Sequence, residues 1–200
     1  MTKIKLCGLT ELRDIEVANS LVPEYIGFVF AEKSRRYVLP EKAAEFKRRL
    51  APGIRAVGVF VNESPERIAG LLEAGIIDVA QLHGSEDGAY IRRVRELTER
   101  PLIQAFSMDS AANLRAAEES PADYILLDSG KGGTGNAFNW ELVQGLRRPF
   151  FLAGGLHVGN AAEAVRRLSP YGVDVSSGIE TNGKKDAAKM AEFVHLIRRI

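Results

Sequence analysis

The chain of 200 residues has one cysteine, so no intrachain disulfide can form, which suits a reducing cytosol. Neither sign of charge is in excess. Against 27 Lys and Arg stand 26 Asp and Glu, a formal net charge of +1, which gives no case for a nucleic-acid surface or a membrane-binding face. No apolar run approaches the length of a membrane span, and the run within Met1–Leu6 is too short for a signal peptide, so a cytoplasmic protein without an anchor is expected. Histidine occurs three times with no His-rich or Cys-rich ligand spacing around it, so no transition-metal site is expected. The chain also lacks low-complexity tracts and any shift in composition that would mark a linker. One domain over residues 1–200 is the resulting expectation.

Hydrophobic residues make up 46% and charged residues 26%, enough for a full core. Short β-rich runs alternate with longer charged amphipathic runs, the form of repeated βα units. Eight runs read as strands: Ile4–Cys7, Tyr25–Phe30, Arg55–Val61, Asp78–Gly84, Pro101–Phe106, Tyr124–Asp128, Pro149–Leu156 with its turn, and Val173–Glu180. The spacing predicts an α/β fold, a single (β/α)8 TIM barrel near the short end of its length range. Helix starts are signalled by Thr10 as a cap, by Pro40, by Ser64-Pro65-Glu66 and by Asp109, while Lys184, Lys185 and Asp186 lead into a closing helix.

In such a fold the carboxyl ends of the strands gather the chemistry. Asp128 ends a strand and is followed by four glycines within Gly130–Gly135, which reads either as an acid beneath a closing lid or as an ordinary turn. Cys7 ends the first strand beside Gly8. A lone cysteine is commonly a small buried apolar residue, but a thiol at a strand end near charged groups is also the setting of a reactive one. His83, the one histidine at a strand end, reads first as a hydrogen-bonded structural residue and second as a substrate contact. Arg35 and Arg36 lie in a loop where a guanidinium fork could grip an anion or stay solvated. Gly154-Gly155 and Ser177-Gly178 follow the seventh and eighth strands, where free backbone amides bind phosphate.

These motifs, in this order, resemble the phosphoribosylanthranilate isomerases of tryptophan biosynthesis: KLCGLT, GFVF then SRR, VGVFVN, QLHG, LLDS then GGTG with Phe138 and Trp140, LAGGL, Asn160, VDVSSGIE and GKKD. The resemblance implies an aldose-ketose isomerase that carries out an Amadori rearrangement without metal or cofactor. It implies Cys7 as general base, Asp128 as general acid, Arg36 on the anthranilate side of the substrate, and the glycine-serine turns on its phosphate. The implied partner is a small-molecule phosphosugar, with the protein a monomer or homodimer. Lys131 in the loop and the division of roles between Arg35 and Arg36 stay open. A metal-dependent phosphosugar epimerase would need further ligands beside His83, and a non-catalytic phosphosugar-binding barrel would not need both Cys7 and Asp128.

Overall fold

The computed structural model describes residues 1–108, 110–128, 143 and 146–200. Eight parallel strands follow one another around a closed barrel: β1 (Lys3–Cys7), β2 (Tyr25–Val29), β3 (Arg55–Phe60), β4 (Val79–Leu82), β5 (Leu102–Ser107), β6 (Tyr124–Asp128), β7 (Phe150–Ala153) and β8 (Gly172–Val175). The seam is sealed by β8 pairing with β1, from Lys3↔Gly172 to Leu6↔Val175. Among the described residues seven α-helices cover the outside: α1 (Leu12–Leu21), α2 (Pro40–Arg49), α3 (Pro65–Glu73), α4 (Gly88–Leu97), α5 (Ala111–Glu119), α6 (Ala161–Leu168) and α7 (Ala187–Arg198). This is the eight-stranded barrel that the alternation predicts.

Alternation along each strand sorts the side chains into two cores. Ile4 and Leu6 of β1, Ile26 and Phe28 of β2, and Ile125 and Leu127 of β6 belong to the larger core shared with the helices. Their neighbours Tyr25, Val57, Ile103, Leu126 and Phe151 form a second cluster that fills the barrel. Phe151 fits because β8 offers Gly172 beside it, where a Cβ would lie 2.7 Å from the ring. Tyr25 and Tyr124 meet Phe151 edge-on at centroid distances of 5.4 and 6.0 Å. Truncating this ring to Ala would cost about 3–5 kcal/mol, the usual cost of deleting a buried aromatic.

The helix signals hold at Pro40, at Ser64, whose hydroxyl accepts from the Arg67 amide, and at Asp186, whose carboxylate accepts from the amides of Ala188 and Lys189. The cap of α1 is Glu11 rather than Thr10. Asp14 reaches back from the first turn to accept from the amides of both Thr10 and Glu11, at 2.8 and 3.0 Å, so the amides leading into the helix are satisfied from inside it. The third strand stops at Phe60, leaving Val61 exposed on the rim. The last expected strand is shorter too. After Val175 the chain makes a 3-10 turn over Ser177–Ile179, then a small antiparallel pair, β9 (Glu180–Thr181) and β10 (Lys184–Lys185). The glycine loop 130–135, Lys131, and the expectations for Asp109, Phe138 and Trp140 lie outside the described residues.

Candidate active site

Each strand of a parallel barrel delivers its last inward side chain to the same end. A cavity of about 410 Å³ opens there, and Cys7 from β1, Arg36 from the loop after β2, His83 after β4 and Asp128 from β6 all line it. Gly154, Gly155 and Ser177, from the turns after β7 and β8, complete the same wall. Gly178 does not line the cavity; a Cβ on it would lie 1.9 Å from the Leu156 carbonyl oxygen, so its bare backbone lets the two turns pack together. Gly154 and Gly155 hold φ values of +86° and +62°, and a Cβ on Gly155 would meet nothing within 4 Å. That turn therefore presents backbone to open space.

Cys7 is buried against β2, where a Cβ on Gly27 would come within 2.7 Å of its sulfur. Two residues earlier on the same face of β1, Lys5 is fully buried and reaches both carboxylate oxygens of Asp174 at 3.0 Å. Such a pair tolerates burial because each charge has its opposite within hydrogen-bond distance. Burial pushes the Cys7 thiol above its ordinary value, Asp174 adds to that, and the charges of Lys5 and Lys185 oppose it. The resting protein therefore keeps Cys7 as a thiol, with two ammonium groups placed to favour the thiolate.

On the opposite side of the barrel, His83 Nε2 lies 3.3 Å from Asp128 Oδ2 and Nδ1 lies 2.8 Å from the Gln81 amide nitrogen. An ionised Asp128 could only accept from Nε2 and a protonated one could donate to it, so the tautomer of His83, and with it the sense of the Gln81 hydrogen bond, follows the proton of Asp128. The hydrogen-bonded reading of His83 applies, and the residue also lines the cavity.

Arg36 and Arg35 divide clearly. Arg36 lines the cavity with its side chain 22% exposed, whereas Arg35 is 62% exposed and does not reach it. Both bind Glu180, a buried carboxylate that also takes Lys185 at 2.8 Å. Burial opposes ionisation of Glu180, but the hydrogen bonds from Arg36 and Lys185 prevail and hold its carboxyl below the usual range. Sequence reasoning missed Lys5, Gln81, Asp174, Glu180 and Lys185. For Lys5 and Asp174 a signal exists: each is a charge alternating with apolar residues inside a strand, hence on the inward face.

A family model described as N-(5'phosphoribosyl)anthranilate (PRA) isomerase matches residues 4–196. An N-(5'-phosphoribosyl)anthranilate isomerase of Endomicrobium trichonymphae is 43% identical over 204 residues, covering 100% of both chains. The crystal structure of phosphoribosyl anthranilate isomerase from Thermotoga maritima superposes with a TM-score of 0.90 at 35% identity, again covering 100% of both chains. A further isomerase structure, in complex with reduced 1-(o-carboxyphenylamino)-1-deoxyribulose 5-phosphate, has a TM-score of 0.88 at 33% identity over 100% of each chain. Matches of this extent, on a barrel whose mouth gathers a thiol, a carboxylate, an arginine and two glycine turns, make this chain a member of the N-(5'-phosphoribosyl)anthranilate isomerase family.

Proposed function

We propose that the protein converts N-(5'-phosphoribosyl)anthranilate into the carboxyphenylamino-deoxyribulose phosphate, with Cys7 as base and Asp128 as acid. The observation that carries this reading is that the thiol and the carboxylate line one cavity from different strands, β1 and β6, so they can flank one sugar. Asp128 protonates the furanose ring oxygen, the ring opens, and the anilino nitrogen is left as an iminium. The Cys7 thiol first gives up its proton to solvent, a loss that the ammonium groups of Lys5 and Lys185 favour, and the thiolate then removes the proton from the sugar carbon next to that iminium, giving the enolamine. The enolamine becomes the ketone by gaining a proton at the former anomeric carbon and losing one from the neighbouring hydroxyl, so the atoms of substrate and product balance.

Gly154, Gly155 and Ser177 bind the phosphate in this scheme, since turns with open backbone attract an anion, while the expected contact from Gly178 is replaced by its packing against the Leu156 carbonyl. Arg36 takes the anthranilate carboxylate, and Val29 and Val59, paired on adjacent strands and lining the cavity, face its ring. His83 contacts the substrate beside Asp128. The test is turnover of freshly made phosphoribosylanthranilate by purified protein, followed as loss of anthranilate fluorescence with a chelator present. Turnover that persists with chelator supports the reading, and no turnover refutes it.

A further inference from the structure

Glu180 is an unusual carboxylate for a protein with balanced charge. Its side chain is 5% exposed, and Oε1 accepts from Arg36 Nε at 2.6 Å and from Lys185 Nζ at 2.8 Å, while Oε2 accepts from Arg36 Nη2 at 3.0 Å and Arg35 Nη2 at 2.8 Å. Lys185 is tied further to the Ser176 carbonyl at 2.9 Å. Of the three cations only Arg36 lines the cavity. Its Nε and Nη2 edge is spent on Glu180, and among the described residues Nη1 carries no hydrogen bond. Its stem crosses Gly8, where a Cβ would lie 2.4 Å from Arg36 Cδ, so the guanidinium is held from below as well as from the side.

We propose that Glu180 is a positioning residue: by clamping one edge of the Arg36 guanidinium it aims the other, formed by Nη1 and Nη2, into the cavity as a fork for the aromatic carboxylate of the substrate. The proposal rests on the isomerase reading above and adds to it the group that sets the geometry of carboxylate capture. Planar guanidinium binds carboxylate best when both N–H bonds are parallel to the two oxygens, so orientation matters as much as charge. Lys185, bonded to Glu180 and to Ser176, locks the clamp to the turn after β8.

Charge alone predicts the opposite effect of removing it. Three cations share the one carboxylate of Glu180, so Glu180→Gln makes this side of the mouth more positive and, by Coulomb attraction, should tighten any anion. Positioning predicts weaker binding, and only for a ligand with the carboxylate. Calorimetry on the folded protein would compare the reduced carboxyphenylamino product analogue with its anilino counterpart, which lacks the carboxylate. Glu180→Gln should weaken the first by about 10- to 100-fold, as for loss of a well-placed charged hydrogen bond, and leave the second within about threefold. Adding Glu180→Gln to Arg36→Met should cost nothing more. Glu180→Asp keeps the charge but withdraws it by one methylene, so it should show part of the same selective loss, and it gives the comparison if Glu180→Gln does not fold. Unchanged or tighter binding of the carboxylated analogue overturns the proposal, and so does an equal loss for both ligands. Failure of the wild type to turn over phosphoribosylanthranilate would instead refute the isomerase reading, a separate result.

Discussion

Gly27→Ala tests whether the thiol is placed or merely present. The substitution adds a single methyl group, but that Cβ would stand 2.7 Å from Cys7 Sγ, 3.2 Å from its Cα and 3.3 Å from its Cβ. Ordinary contact between such atoms is about 3.5–4.0 Å, so the sulfur must retreat by roughly 1 Å. The backbone of β2 cannot give way instead, because the Gly27 carbonyl accepts from the amides of Gly8 and Leu9 at 2.9 and 3.2 Å. Displacing a reacting group by about 1 Å costs about 10²-fold in rate, and overpacking of one methyl costs about 1–3 kcal/mol of stability. Steady-state fluorescence kinetics should therefore show kcat down by about that factor, alongside a modest fall in urea midpoint. The stability loss should shrink in the Cys7→Ala background, where the atom at 2.7 Å is gone. A folded Gly27→Ala protein with kcat within about threefold of wild type would refute the idea that sulfur position is held by this contact.

Cys7→Ala should reduce turnover by about 10²- to 10⁴-fold without loss of fold, and near-normal turnover would reduce Cys7 to a packing residue. Because burial and Asp174 raise the thiol above its ordinary value, alkylation of Cys7 in the free protein should be slow at neutral pH and rise to its plateau at higher pH than for a free cysteine; a midpoint at or below the free value would contradict this. Gly155→Val places a branched side chain on a backbone at φ +62° and in the open space beside it, so inorganic phosphate should bind much more weakly, as an equilibrium titration would show. Asp128→Asn retains size but has no proton to give, so ring opening should be nearly abolished while the product analogue still binds; substantial turnover would exclude the acid role.

The eight strands were legible because each buried run is short, apolar and closed by turn residues, but those runs carry no information on how adjacent strands are registered. Their carboxyl ends were legible for the same reason, which is why Cys7, Asp128 and the Gly154-Gly155 turn could be expected at the end of the barrel where the cavity opens. Strand ends near the rim were less so: Val61 is as apolar as the strand before it, yet among the described residues it pairs with no strand, and it lies exposed. Glu180 was out of reach. Its partners Arg35 and Arg36 are 145 and 144 residues away, and nothing local distinguishes it from a solvated glutamate. Lys5 and Asp174 pair across 169 residues, so alternation could place each inside without revealing the other.

The seam between β1 and β8 makes Cys7 a reporter of assembly. During synthesis the first strand is made early, but Asp174 and Lys185, which with Lys5 set the electrostatics of the thiol, arrive only near the end. Until that part of the chain docks, Cys7 can pack against β2 but lacks the charges of Asp174 and Lys185. Pulsed alkylation of this one sulfur during refolding would therefore follow two events, burial against β2, which slows the reaction outright, and arrival of the late charges, which changes its dependence on pH.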